Sequence, residues 1–127
     1  MSHGRSLDLL LFTLGCLTSL GVSTRLVIPD ADITASSYHS AVTKPLGGRL
    51  NYQAHYDSQG IITQIGGWMA SNNDLNQWLQ IKFSKSFQVS GVATQGRADY
   101  TYWVKSYKLE YSTDGSSWTY YPTVRYF

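Results

Sequence analysis

Two histidines and a carboxylate are the residues of this sequence best suited to hold a transition metal. His39, His55 and Asp57 could meet at one ion, although their spacing matches no ligand template of the usual kind. Polar loop residues without a metal are the simpler interpretation. The sequence therefore predicts no transition-metal centre.

A group of amides beside one acid offers a different chemistry, because side-chain oxygens are the ligands that calcium prefers. Asn72, Asn73 and Asp74 could contribute to such a site. The group lacks the spaced acidic ligands of a strong calcium loop, and a cluster of Asx turns explains the same residues. Apart from this calcium alternative, no cofactor is expected.

Catalytic motifs are absent from the sequence. It contains no Gly-x-Ser-x-Gly elbow, no His-Glu-x-x-His pair and no glycine-rich phosphate loop with a lysine. Only eight residues are acidic, and nothing singles out a carboxylate pair for glycoside hydrolysis. We therefore expect a protein that binds rather than catalyses.

The composition describes one folded domain. The chain has 127 residues, of which 14% are charged and 14% aromatic, and so many aromatic residues exclude a largely disordered chain. A net charge of +2 is too small for a nucleic-acid-binding face. The single cysteine, Cys16, excludes a disulfide within the chain.

The first 23 residues have the order of a secretory signal peptide: the basic Arg5, an apolar run over residues 9–20, and small residues that end at Ser23. A membrane anchor is the main alternative, but the run falls short of the roughly 20 apolar residues that span a bilayer. A lipoprotein signal at Cys16 fits less well. We expect a secreted, extracellular domain over residues 24–127, without any cysteine.

The rest of the chain shows the alternation of β-strands with turns between them. Residues 106–112 place Tyr107, Leu109 and Tyr111 on one face, and Asp114-Gly115 predicts a turn into a return strand over 118–121. Further strands are predicted over residues 32–35, 79–83 and 89–95. Many short strands of this kind favour an all-β sandwich or barrel.

A series of blocks resembles the coagulation factor V/VIII type C domain, also called the discoidin domain, in order and over nearly the whole predicted domain. The blocks are residues 33–37, 49–51, 67–68, 76–81, 91–97, 103–107 and 111–115. The resemblance implies a jelly-roll β-sandwich that binds ligands through three loops at one end. It also implies a non-catalytic module for anionic phospholipid, cell-surface glycan, collagen or other matrix proteins.

By position, the resemblance assigns the binding end to residues 38–46 (the first loop), 52–65 (the second loop) and 97–102 (the third loop). Large apolar side chains on loop tips would favour insertion into lipid, whereas tyrosine faces with arginine and aspartate suit a sugar or a protein edge. The candidate ligand-binding residues are Tyr38, Val42, Lys44, Leu46, Arg49, His55, Tyr56, Arg97, Asp99, Tyr100 and Tyr102.

Some of these residues have structural alternatives. Arg49 and Asn51 could instead hold the sandwich together. Trp68, Trp78 and Trp118 are expected in the core, and Trp103 suits either role.

The sequence departs from the family in two ways. It lacks the cysteines that commonly bracket the module, and it ends soon after the 118–121 strand, where family members continue. We therefore expect an incomplete sandwich.

The leading functional hypothesis is a secreted adhesion module that binds cell-surface glycan or matrix protein. The alternatives are attachment to anionic phospholipid, a targeting module from a larger secreted enzyme, and an incomplete chain without binding activity.

Overall fold

The computed structural model describes residues 11–14, 18–21, 28–87, 89, 92, 94–97 and 99–122, the first two segments as backbone only. Within these residues the regular structure consists of short strands and two 3₁₀ turns, Asp30–Asp32 and Pro45–Gly48, with no α-helix. The strands are β1 (Leu11–Leu14), β2 (Thr18–Gly21), β3 (Ile33–Ala35), β4 (His55–Tyr56), β5 (Ile62–Gln64), β6 (Leu79–Ile81), β7 (Leu109–Tyr111) and β8 (Thr119–Tyr121).

The strands pair as four antiparallel two-stranded sheets: β1 with β2, β3 with β6, β4 with β5, and β7 with β8. β3 and β6 are far apart in sequence, and Ile33 faces Ile81 in their register. This long-range pair brings the start of the domain against its middle. The predicted signal peptide over residues 1–23 lies outside the described residues except for β1 and β2, and it stays a prediction.

The core lies under the β3–β6 pair. Ile28 and Ile33 are buried there, and the half-buried side chains packed on them are Leu79, Ile81, Phe83 and Val92. Leu79 and Ile81 occupy alternate positions of β6 and therefore lie on one face, where they pack on these two isoleucines.

The predicted β7–β8 hairpin is confirmed, with Tyr111 opposite Thr119. Asp114 closes its turn, because one carboxylate oxygen accepts hydrogen bonds from the backbone N–H groups of Ser116 and Ser117 at 2.7 and 2.8 Å. Gly115 adopts φ +75°, which a residue without a Cβ reaches at no steric cost.

Three expectations about buried positions need correction. Trp68 is buried as predicted, but Trp78 and Trp118 are 48% and 44% exposed. Tyr111 is also exposed, although alternation placed it on the buried face. Alternation decides which side chains share a face of a strand, but a face is buried only where another element packs on it, and these three side chains are left uncovered.

The strand predicted over residues 89–95 is not found at the positions that the structure describes, namely Val89, Val92, Thr94 and Gln95. Residues 90, 91 and 93 of that prediction lie outside the described residues.

Among the residues that the structure describes, no helix has the length and apolar character needed to cross a bilayer.

Candidate functional site

The base of the first loop is fixed to the segment that follows β5. The indole nitrogen of Trp68 donates a hydrogen bond to the Ser37 carbonyl oxygen at 2.8 Å, and the Ser71 backbone N–H donates to the Ser37 hydroxyl at 3.0 Å. Two residues further on, the His39 N–H donates to the Met69 carbonyl oxygen at 2.8 Å. These bonds hold residues 37–39 alongside residues 68–71 as one wall.

The tip of the first loop packs against the segment that follows β5 and does not project into solvent. The Thr43 side chain is buried, and the Val42 carbonyl oxygen accepts a hydrogen bond from the Ile65 N–H at 2.8 Å. Val42 and Leu46 are consequently only half exposed, whereas Tyr38 and Lys44 are exposed. The apolar residues predicted to contact lipid from this loop are therefore partly covered by the protein itself.

The second loop contains the β4–β5 hairpin. Its turn is held by Asp57, whose carboxylate accepts the backbone N–H groups of Gln59 and Ile61, both at 2.9 Å. Tyr56 and Ile61 are 62% and 58% exposed at this turn. The hairpin thus presents an aromatic and an aliphatic side chain on a backbone fixed by hydrogen bonds.

The remaining rings of the second loop lie behind its tip. His55 lies on the ring of Tyr52, with 5.0 Å between the ring centroids. Both predicted site residues of this loop, His55 and Tyr56, are exposed.

The third loop is organised around Arg97. Its Nε and Nη2 donate to the two carboxylate oxygens of Asp99 at 2.7 and 2.8 Å. Its guanidinium carbon lies 5.2 Å from the ring centroid of Tyr100, which is within cation–π range. Tyr100 is in turn 5.1 Å from the ring of Tyr102, and the Arg97 N–H closes the loop on the Tyr102 carbonyl oxygen at 2.9 Å.

The charge of Asp99 is stabilised by its neighbours. The Arg97 side-chain hydrogen bonds are the largest influence and lower the pKa of Asp99 below its ordinary value of 3.8, against the opposing effect of partial burial. The Arg97 charge and the backbone N–H groups of Asp99 and Gly66 act in the same direction.

A cleft of about 390 Å³ lies where the first loop, the segment after β5 and the third loop meet. Its lining combines imidazole, hydroxyl, amide, guanidinium and aromatic groups with a short apolar stretch. The lining residues are His39, Met69, Ala70, Ser71, Asn72, Asn73, Arg97 and Tyr102. Its volume falls within the range of small-molecule sites, and its donors and acceptors suit a polar ligand.

The sequence predicted Arg97 and Tyr102 as part of this site, and the structure brings both to the cleft. It did not predict His39 or residues 69–71 as lining residues. His39 lies within the predicted first loop, but the sequence singles it out only as a candidate metal ligand, and no motif indicates the pairing of residues 37–39 with 68–71.

Arg49 requires correction as a binding-loop residue. Its side chain is 3% exposed, and its Nη2 donates to an Asp30 carboxylate oxygen at 2.5 Å and to the Ile28 carbonyl oxygen at 2.7 Å. The Nε group donates to the same Asp30 oxygen at 3.0 Å. Arg49 therefore holds the start of the domain against the Pro45–Gly48 turn, which is the structural alternative.

The metal hypotheses find little geometric support. Among the described residues, no three His, Cys, Asp or Glu side chains lie together as a metal cluster. Asp74 accepts the Asn76 N–H at 2.8 Å and the Gln77 side-chain amide at 2.9 Å, as an Asx turn does, while Asn72 and Asn73 line the cleft. The calcium alternative stays a prediction.

Short strands joined by long loops, with a cleft lined by residues of those loops, define an all-β domain. Residues 32–126 match the F5/8 type C domain, and the chain belongs to that family. The family fold is a β-sandwich, so both the family resemblance and the all-β sandwich prediction are confirmed.

Individual relatives agree with this assignment. Lactadherin of Sus scrofa is 36% identical over 109 residues, which cover 84% of this chain and 26% of lactadherin. The human EGF-like repeat and discoidin I-like domain-containing protein 3 is 37% identical over 84% of this chain and 22% of its own length. Coagulation factor VIII of Canis lupus familiaris is 34% identical over 82% of this chain and 4% of its own length.

The chain therefore spans about a quarter or less of the length of these relatives. No solved structure matches it significantly.

Proposed function

We propose that this domain is a secreted, non-catalytic binding module for cell adhesion, which recognises a cell-surface glycan or an extracellular-matrix protein. The observation that carries the proposal is the cleft of about 390 Å³ between the first and third loops. Family membership supports a loop-based binding role, and the predicted signal peptide supports action outside the cell.

The lining of the cleft suits ligands rich in hydroxyl or amide groups. Asn72 and Asn73 each carry a side-chain amide that can donate and accept, and Ser71 adds a hydroxyl. Tyr102 provides an aromatic face, against which the apolar face of a sugar ring or a peptide side chain can pack.

The third loop extends this surface beyond the cleft. Tyr100 is 61% exposed beside Arg97, whose side chain is mostly covered. A ring held over a guanidinium loses little conformational freedom when a ligand stacks on it, because its orientation is already restricted. The pair Arg97 and Tyr100 is therefore the part of the loop whose removal tests the proposal most directly.

The experiment is binding of the purified protein to an array of glycans and matrix proteins. We expect the Arg97→Ala/Tyr100→Ala variant to lose at least about tenfold in affinity, as expected when a packed anchor worth more than 1.4 kcal/mol is removed. Tyr120→Ala is the matched control, since Tyr120 is 45% exposed on β8 and does not line the cleft. Unchanged binding of the double variant would exclude the third loop as the site.

One observation favours a second function, attachment to anionic phospholipid. Tyr56 and Ile61 project from the β4–β5 turn with more than half of each side chain exposed. Exposed aromatic and aliphatic side chains on a stable turn can enter the boundary between lipid headgroups and acyl chains. A sedimentation assay with phosphatidylserine vesicles separates this function from glycan or matrix binding.

A further inference from the structure

Arg97 is the only permanently charged side chain among the lining residues of the cleft that the structure describes. An unpaired guanidinium in such a place would attract carboxylate, sulfate or phosphate groups, which it binds through two parallel hydrogen bonds. Here the Nε and Nη2 groups already make two hydrogen bonds of this kind to Asp99. The charge that would draw an anion into the cleft is thus matched within the third loop.

We infer that Asp99 is a specificity-determining residue, which keeps anionic ligands out of the cleft and reserves it for uncharged, hydroxyl-rich saccharides. The inference rests on the proposed function of the cleft and adds the charge class of its ligand.

The geometry makes replacement of Asp99 by an incoming anion unfavourable. Asp99 follows Arg97 by two residues. The backbone hydrogen bond of 2.9 Å from the Arg97 N–H to the Tyr102 carbonyl oxygen closes the loop that contains both residues. A ligand anion would have to displace a carboxylate that cannot diffuse away, and the displaced carboxylate would then repel it. A neutral hydroxyl group does not have to displace Asp99 and is not repelled by its charge.

The third loop is narrow at its base, next to Arg97. A Cβ placed on Gly96 would lie 3.1 Å from the Tyr102 carbonyl oxygen, so the two ends of the loop approach closely at this point. The Tyr100 ring, 5.2 Å from the guanidinium carbon, covers another side of Arg97. The pair is therefore held as a unit, with 15% of the Arg97 side chain exposed and 34% of the Asp99 side chain exposed.

The carboxylate also keeps its charge under the conditions in which an extracellular domain works. Because its pKa lies below 3.8, Asp99 is ionised at neutral and mildly acidic pH. The other polar lining groups, Ser71, Asn72 and Asn73, are uncharged, and they carry no electrostatic preference for an anion.

The test measures binding of dextran sulfate to the full chain and its variants, with unsulfated dextran as the matched uncharged probe. Asp99→Asn and Asp99→Ser remove the neutralising charge, while Asp99→Glu retains it. We expect both charge-removing variants to bind dextran sulfate at least about fivefold more tightly than the parent, with a steeper dependence on salt, because the Asp99 carboxylate no longer offsets the charge of Arg97. Asp99→Glu should behave like the parent.

Dextran sulfate could also bind elsewhere on a chain of net charge +2. The double variant Arg97→Gln/Asp99→Asn controls for this, because it is expected to lose the gain of Asp99→Asn. Thermal unfolding of each variant confirms that the domain remains folded. Two charge-removing variants are used so that the result does not depend on the stability of either one.

The outcomes separate the inference from the proposed function. A gain in dextran sulfate affinity that requires Arg97 supports the inference, even if the array finds no saccharide that the parent protein binds. Equal affinity of the parent and both folded charge-removing variants would overturn it, as would a gain that persists without Arg97. Failure of the parent to bind any glycan or matrix protein would overturn the proposed function alone.

Discussion

The Trp68 indole nitrogen donates a hydrogen bond of 2.8 Å to the carbonyl oxygen of Ser37, across 31 residues of sequence. Trp68 is 2% exposed, so the bond runs from a buried ring to the residue just before the first loop. Because residues 37–39 and 68–71 form one wall of the cleft, the position of that wall depends on the packing of a core side chain. A substitution of Trp68 is therefore expected to lower both the stability of the domain and its affinity for a ligand.

We expect Trp68→Phe to lower the free energy of unfolding by about 1–3 kcal/mol, because it removes a hydrogen bond and leaves unfilled volume in the core. Chemical denaturation measures this loss, and the array measures the accompanying loss of ligand affinity. Trp103→Phe is the control, since Trp103 is 58% exposed and its replacement should change stability by less than about 0.5 kcal/mol. Equal stability of the two variants would contradict the role given to the buried indole.

Arg49 provides a second prediction about stability. We expect Arg49→Ala to cost about 2–4 kcal/mol, because it leaves the Ile28 carbonyl and the partly exposed Asp30 carboxylate without the guanidinium that binds both. Arg49→Lys should recover only part of this loss, since an ammonium group cannot reproduce the planar fork.

Denaturation curves of both Arg49 variants test this ordering, with the exposed Lys108→Ala as the neutral control. An Arg49→Lys variant as stable as the parent would show that charge alone, and not the hydrogen-bond geometry, matters at this position.

The position of the Arg49 side chain could not be predicted from the sequence. An arginine beside a loop can extend into solvent or be buried against the domain. Arg49 is buried because it binds Asp30, which lies 19 residues earlier in the chain. The β7–β8 hairpin could be predicted because alternation and Asp114-Gly115 are local patterns. The β3–β6 pairing and the wall that includes His39 depend on contacts between distant segments, which leave no local pattern.

The tryptophans illustrate a related limit. Trp68, Trp78 and Trp118 are all expected in the core from their hydrophobicity, yet of these three only Trp68 is buried. Hydrophobicity predicts that a side chain gains by burial, but burial also requires a neighbouring surface to cover it. That neighbour is determined by the packing of distant segments, which the alternation within one strand does not specify.

The ionisation of Asp99 gives a prediction about pH. Its pKa is lowered from the ordinary 3.8 chiefly by hydrogen bonds from Arg97, so the bridge stabilises the folded loop above 3.8 and is lost only as the pH falls through the lowered pKa. We expect a side-chain carboxyl titration by NMR to place the midpoint of Asp99 below 3.8.

In Arg97→Gln the midpoint of Asp99 should move upward. Asp114 is the internal control, because its pKa is lowered by the backbone N–H groups of Ser117 and Ser116 rather than by a cation, and it should not change in this variant. An Asp99 midpoint that stays the same in Arg97→Gln would contradict the bridge.

The second loop decides between the two proposed functions. Tyr56 and Ile61 project from a turn that Asp57 fixes, whereas Val42 and Leu46 of the first loop are half covered. If the domain attaches to anionic phospholipid, Tyr56→Ser/Ile61→Ser should lose at least about tenfold in binding to phosphatidylserine vesicles, because burying two such side chains contributes roughly 1.5–3 kcal/mol each. Val42→Ser/Leu46→Ser is the matched control and should lose less.

The same four substitutions also test whether lipid or a soluble ligand occupies the binding end. Since neither Tyr56 nor Ile61 lines the cleft, removing them should leave binding to an arrayed glycan or matrix protein intact. Loss of vesicle binding with intact array binding would show two separate surfaces, with the hairpin tip contacting lipid. Indifference of the parent protein to phosphatidylserine content would exclude lipid attachment and would leave glycan or matrix-protein binding as the function that the array tests.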